Sequence, residues 1–376
     1  MKFTELPTPC FLIDENKIVQ NLAVLRDVAE RSGAKILLAQ KAFSMYTLYP
    51  LIAEYLSGTT ASGLYEARLG HTHFGGETHV YSPAFAPGEF DDLLPYADHF
   101  IFNSMNQWKI YGNRARAAGK SCGLRVNPEC STQPSEHALY DPCGPFSRLG
   151  VTADHFKPEL LDGLDGLHFH TLCEQNSDDL VRTVAAFDSR FGKFAKDMKW
   201  LNLGGGHHIT RDDYDIEVLV ECVKYLRKKY DVEVYLEPGE AVVLNAGYLV
   251  STVLEIVENH AHIAILDTSA ACHMPDVIEM PYRPPVWHAA KPHEKAFNYL
   301  LTGRSCLAGD VVGEYSFDNM LRPGDQVVFE DMALYTMVKT NTFNGVPLPS
   351  IALRRADGTD EIVKTFDYED FKSRLS

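Results

Sequence analysis

Short apolar, β-branched runs alternate with amphipathic stretches over the first two-thirds of the chain. Cys10–Asp14 predicts a first strand. A helix is predicted next over Glu15–Arg31, where apolar Ile18, Leu22, Leu25 and Val28 recur at helical spacing. Eight further runs predict strands: Lys35–Gln40, Thr59–Ser62, Thr78–Tyr81, His99–Asn103, Ser121–Val126, Gly166–His170, Lys199–Leu203 and Val232–Leu236. Helical patterns separate most of them. Ser104–Ala118, with Ser104 as its N-cap, and Tyr214–Tyr230 are the clearest. Alternating β and α elements imply a parallel sheet, and eight strands over this length fit a closed β/α barrel of the TIM type.

After about Leu244 the texture changes. Val250–Glu258, His262–Asp267, Gln326–Phe329 and Ala333–Lys339 predict strands without long helices between them, amid frequent Pro and Gly. This reads as a second, β-rich domain, so the barrel is expected over residues 15–244 and the β-rich domain over 245–376. Ser131–Pro145 is the longest stretch with no predicted element, suited to a loop over a site.

Composition narrows the partners. The chain has 376 residues, 45% of them hydrophobic, enough for one or two full cores. A formal net charge of -16 argues against nucleic acid and suits a cationic small substrate, although acidic surfaces also serve solubility. The 8 cysteines form no CxxC pair, as in proteins of a reducing compartment. Met1–Cys10 carries no apolar leader, and no apolar run is long enough to cross a bilayer. A cytoplasmic location without membrane partners is expected.

The chemistry-bearing residues fall at one end of the predicted strands, where β/α barrels build active sites. Lys41 follows an apolar run and sits beside Ala39, Ala42 and Phe43. Partial desolvation there favours the neutral amine, which can form a Schiff base with an aldehyde, although a lysine reaching the rim would look the same. Gly204, Gly205 and Gly206 follow Trp-Leu-Asn-Leu and would let backbone N–H groups approach a phosphate, or simply make a tight turn. Glu237 opens Glu-Pro-Gly-Glu; it could face a pyridine nitrogen or an ordinary turn. His170 is a candidate to stack on a ring. His168 and His170 alternate on one predicted strand, which keeps a metal-dependent hydrolase open as an alternative. His71 and His73 read as a helix end and a loop and are set aside. Cys306 in Gly-Arg-Ser-Cys is a thiol in a polar loop that could protonate a carbanion.

In this order, Lys41, Phe169-His170, Gly204–Gly206, Glu237-Pro-Gly and Gly-Arg-Ser-Cys306 resemble the fold type III pyridoxal-phosphate-dependent decarboxylases, which include the ornithine, arginine and diaminopimelate enzymes. The resemblance covers nearly the whole chain. Leu-Ala-Gln-Lys41-Ala-Phe, His168-Phe-His170-Thr-Leu-Cys-Glu174, Glu237-Pro-Gly-Glu240-Ala and Cys272-His-Met-Pro-Asp276 are most similar to the branch acting on carboxynorspermidine and carboxyspermidine.

The resemblance implies an alanine racemase-like architecture in which residues 1–14 join the β-rich domain. It implies pyridoxal 5'-phosphate as cofactor, carried by Lys41. His170 would stack on its ring, Gly204, Gly205, Gly206 and Tyr335 would take its phosphate, Glu237 would pair with its ring nitrogen and Arg125 would lie nearby. Cys306 would donate a proton from the second subunit of a head-to-tail homodimer. No metal is implied.

One position departs from the wider group, which has a phosphate-binding Arg where this chain has Glu240. A carboxylate there would repel phosphate and attract a substrate ammonium, which favours a polyamine-type amino acid over diaminopimelate. Asp276, Glu279 and Asp310 are further candidates for amine contacts. Decarboxylation of another basic amino acid, and a carrier that binds the cofactor without turnover, remain as alternatives.

Overall fold

The computed structural model describes residue 3 and residues 5–376, leaving out the side chains of 135–137. The chain divides into two compact units, residues 20–242 and residues 1–19 with 243–376.

Strand β1 (Cys10–Asp14) opens the chain and belongs to the second unit. The helix Glu15–Ser32 follows it, and its apolar stripe of Ile18, Leu22, Leu25 and Val28 is fully buried. Eight strands then close an all-parallel barrel in sequence order: β2 (Lys35–Ala39), β3 (Gly58–Ala61), β4 (Glu77–Ser82), β5 (His99–Phe102), β6 (Ser121–Arg125), β7 (Gly166–His168), β8 (Trp200–Asn202) and β9 (Glu233–Leu236), with β9 pairing back to β2. Two outer helices have built starts. Ser104 Oγ accepts from Gln107 N–H at 3.1 Å, and Asp215 Oδ1 from Val218 N–H at 3.1 Å.

The barrel interior is filled rather than open. Leu37, Ile101, Trp200 and Tyr235, from β2, β5, β8 and β9, form one buried cluster. Gly123 and Gly166 make room for the indole: a Cβ on them would stand 2.2 Å and 2.1 Å from its ring.

The second unit is a mixed sheet. Its further strands are β10 (Gly247–Glu258), β11 (His262–Leu266), β12 (Phe297–Thr302), β13 (Val311–Phe317), β14 (Gln326–Glu330), β15 (Ser350–Arg354) and β16 (Asp360–Lys364). The order is β13-β12-β11-β10-β1-β15-β16, with β14 also pairing β10. Strand β1 runs antiparallel to β10 and parallel to β15. The sheet is packed on both faces, and β1 shows it by alternation: Phe11 joins one apolar cluster, Cys10 and Leu12 the other.

Five expectations need correction. Ala333–Lys339 is not a strand: Tyr335 takes a left-handed φ of 53°, which breaks the pleat, and Met337–Lys339 is a 3-10 turn. Strands β12, β13, β15 and β16 were not anticipated. Gly313 and Glu314 interrupt the apolar pattern of β13, and β16 is an edge strand with an exposed, polar sequence. Strand β7 ends at His168, short of His170. His71 and His73 both lie in the last turn of the helix Leu64–His73. Within Ser131–Pro145, Ser135–Tyr140 forms a 3-10 turn.

Candidate active site

The carboxyl ends of β2, β7, β8 and β9 bring Lys41, His168, His170, Asn202, the triple glycine and Glu237 to one rim of the barrel. Main-chain bonds continue past the strands to fix this rim. Ala39 N–H donates to Pro238 O at 3.0 Å, Leu203 N–H to Tyr235 O at 2.9 Å and Glu237 N–H to Gly204 O at 2.8 Å.

Lys41 follows β2 between Ala39, Ala42 and Phe43, all buried. Its side chain is open to water yet crowded by the surrounding rim, as a side chain recessed in a concavity is. That crowding lowers the ammonium pKa, and the positive Arg125 adds to the effect while Glu237 opposes it. The amine is thereby biased toward its nucleophilic form.

Glu237, just past β9, is buried. Asn202 Nδ2 donates to its Oε1 at 2.7 Å, and His168 Nε2 stands 3.4 Å from its Oε2. Burial alone would raise its pKa, but the His168 contact and the Asn202 bond outweigh burial and bring it to about 2. The carboxyl is therefore ionised at neutral pH. Burial lowers the pKa of His168, so its imidazole stays neutral beside that charge.

The glycine turn is held from inside. Gly204 and Gly206 have left-handed φ of 72° and 80°. Gly204 N–H donates to Asn202 Oδ1 at 2.8 Å and Gly205 N–H to His170 Nδ1 at 2.9 Å. A Cβ on Gly205 would meet Glu237 O at 2.4 Å, so this position admits no side chain. Two of the three N–H groups expected to meet a phosphate are thus engaged by side chains.

The Gly205 bond leaves His170 Nδ1 without a proton. Burial and then the Lys41 and Arg125 charges push its pKa well below the ordinary histidine value, so the ring is neutral. Arg125 is buried, donates to His170 O at 3.0 Å and covers the Tyr81 ring at 4.6 Å. It braces the segment that carries His170. Glu240 is buried and engaged by His208, Nε2 to Oε2 at 2.5 Å.

The histidine-metal alternative loses its basis here. With β7 ending at His168, the two histidines do not share a strand face, and His168 Nε2 and His170 Nδ1 are already engaged by Glu237 and Gly205. Among the described residues, one three-group cluster of metal-ligand type occurs at the opposite rim: Glu77, His79 and His99. There the imidazoles stack with centroids 3.9 Å apart and planes 10° from parallel, so both rings cannot aim in-plane lone pairs at one ion.

The remaining candidates lie in the second unit. Cys306 is exposed, and its N–H donates to Asn344 Oδ1 at 2.8 Å. Asp310 is buried and organises this loop: its carboxylate accepts from Ser269 Oγ (2.8 Å), Ser305 Oγ (2.6 Å) and the Ala271 and Ser305 N–H groups (both 3.2 Å). Asp276 pairs with Lys339 at 2.5 Å, Glu279 is exposed and Tyr335 is half-buried.

Asn202 was missed by sequence reasoning. Its signal was an amide ending an otherwise apolar strand immediately before three glycines.

The donor set suits an aldehyde-bearing pyridine. It has an accessible amine biased toward its neutral form, a pinned neutral imidazole and a buried ionised carboxylate. The chain belongs to the pyridoxal-dependent decarboxylases: residues 11–333 match the family described as "Pyridoxal-dependent decarboxylase, C-terminal sheet domain". Among its relatives is the carboxynorspermidine/carboxyspermidine decarboxylase of Campylobacter jejuni, 44% identical with all of both chains covered. A carboxyaminopropylagmatine decarboxylase of Synechocystis is 40% identical, over 100% of this chain and 97% of that one. The crystal structure of C. jejuni carboxynorspermidine decarboxylase complexed with norspermidine superposes with a TM-score of 0.92 at 42% identity, over 98% of this chain and 100% of that one.

Proposed function

We propose that the chain decarboxylates carboxynorspermidine and carboxyspermidine with pyridoxal 5'-phosphate as cofactor, releasing norspermidine or spermidine in polyamine biosynthesis. The observation that carries the cofactor reading is the pairing, on one barrel rim, of an accessible Lys41 amine of lowered pKa with a buried, ionised Glu237. The substrate reading is supported by relatives at 40–44% identity over the full chain.

Lys41 would hold the cofactor through its aldehyde. Glu237 would face the ring nitrogen and favour its protonated form, because a pyridinium is the cation its buried charge lacks. His170 would stack on the ring, its own orientation fixed by Gly205 and Arg125. Gly204, Gly205, Gly206 and Tyr335 would hold the phosphate, with the first two glycines contributing close approach of bare backbone rather than free N–H groups. The bound cofactor supplies the electron sink for the carbon–carbon bond pair when the α-carboxylate leaves as CO2. Cys306, from the second subunit of a homodimer, delivers the proton that replaces the carboxylate on the α-carbon.

Among the acids, Glu279 is exposed, whereas Glu240, Asp276 and Asp310 already have partners and would contact substrate amines only by exchanging them. No helix among the described residues is long and apolar enough to cross a membrane, and the proposed site of action is the cytoplasm.

The test combines an absorption spectrum before and after borohydride, peptide mapping of the reduced adduct and a substrate panel. The expected result is a label on Lys41 and preference for carboxynorspermidine or carboxyspermidine over ornithine and diaminopimelate. The panel includes carboxyaminopropylagmatine; preference for it would reassign the substrate within the same chemistry. A protein that gains no cofactor band would sink the reading.

A further inference from the structure

Asn202 ends β8 and is fully buried. It spends its amide in two directions. Nδ2 donates to Glu237 Oε1 at 2.7 Å, and Oδ1 accepts from Gly204 N–H at 2.8 Å. The surrounding chemistry fixes the amide orientation. An ionised carboxylate can only accept and a backbone N–H can only donate, so flipping the amide would lose both bonds. The other side chain on Glu237, His168, stands further away at 3.4 Å. Asn202 is therefore the short contact on the carboxylate, and through Gly204 it also holds the turn whose next N–H pins His170.

We propose that Asn202 is a positioning residue that joins Glu237 to the glycine turn as one unit, and that its NH2 group, not its shape, is what the site requires. The proposal rests on the cofactor-dependent reading above. An aspartate there would have nearly the same volume and could still accept from Gly204. It could not donate to Glu237. Two buried carboxylates in contact would then have to share a proton, as adjacent acids do. A neutral alanine would lose the bond without adding repulsion.

The experiment is a calorimetric titration of cofactor-free protein with pyridoxine 5'-phosphate, at pH 6 and pH 8, for wild type, N202D, N202A and E237Q. This ligand keeps the ring and phosphate but lacks the aldehyde, so linkage to Lys41 plays no part. Asn202→Asp is expected to bind about ten- to a hundredfold more weakly than wild type at pH 8, from the loss of a hydrogen bond to a charged group. Relative to wild type, it should recover much of that loss at pH 6, where a shared proton restores a donor. Asn202→Ala should be weakened about tenfold at both pH values, with no recovery. Wild-type affinity in N202D at both pH values would overturn the proposal and leave the cofactor reading intact. Equal weakening of N202D at both pH values would show that a donor restored by protonation does not help, and would overturn the claim that the NH2 group is what the site requires. Should N202D fail to fold by circular dichroism, N202L, close to Asn202 in size and without a donor, decides: weakened binding supports the proposal and unchanged binding overturns it. No binding by wild type would instead sink the functional reading itself.

Discussion

The two rims of the barrel use the same residue types to opposite ends. At the amino rim Lys35 donates to Glu77 at 2.6 Å and pairs with Glu233 at 3.0 Å, while His79 Nε2 lies 3.1 Å from the other Glu77 oxygen. Burial works against charge on Lys35, but Glu77 and Glu233 outweigh it and raise the lysine pKa. Burial would likewise raise Glu77, yet His79 and Lys35 hold it far below the carboxylate range. Every charge there is answered by a neighbour. At the carboxyl rim Lys41 is crowded and shifted down, and Glu237 is ionised with Asn202 and His168 against it. A closed network of Lys, Glu and His is structure. The same set left open at the carboxyl rim is what the proposed chemistry would use.

The comparison can be tested from its strongest consequence downward. Lys41→Ala should abolish covalent cofactor attachment and lower turnover by at least about a thousandfold, as loss of a covalent catalyst does. Lys35→Ala should leave attachment intact. Borohydride labelling and steady-state rates separate them, and equal losses in both would erase the distinction between rims. Glu237→Gln should slow the decarboxylation step about a hundredfold, from removal of one preorganised charge, with little change in melting temperature. Single-turnover kinetics read this, and an unchanged rate would remove the residue from the chemistry.

Trp200→Ala at the filled amino end should do the reverse. It should cost about 3–5 kcal/mol of stability from the cavity left behind, while the folded fraction keeps its rate per site. Denaturant melts with active-site counting check it.

The smallest effect is in pH. Glu77 has a depressed pKa, so its stabilising contribution is present above the ordinary value of 4.5 and is lost as pH falls below it. His99, lowered by burial and by His79 to about 3, folds neutral, and acid that would protonate the unfolded chain near 6.5 favours unfolding. Both predict falling stability between about pH 6 and 3. Glu77→Gln should flatten the lower part of that slope; an identical slope in melting temperature would show that the rim does not control acid sensitivity.

The barrel was legible because its signals are local. Apolar runs such as Lys-Ile-Leu-Leu-Ala and the stripe through Ile18, Leu22, Leu25 and Val28 declare their elements within a dozen residues. The outer strands of the mixed sheet were not. Strand β16 gains its conformation from pairing with β15, and β13 from β12, although their own sequences carry Gly, Glu and Asp. The candidate site divides the same way. Lys41, Glu237 and the glycines stand out by position at strand ends. The bond from Asn202 to Glu237 spans 35 residues, and the ring of partners around Asp310 gathers Ser269, Ala271 and Ser305. No spacing rule reveals such contacts, so Asp310 looked like a free acid when it is the hub of its loop.

The indole lodged against Gly123 and Gly166 has one more consequence. Together with Leu37, Ile101 and Tyr235 it stoppers the barrel axis, so the rim that holds Lys41 has no back door. On the proposed reading, substrate and product would then share the carboxyl end of the barrel, and a departing amine would stand in the doorway of the next arrival. Traffic through such a dead end is sequential, and a slow-leaving product sets the pace for everything behind it.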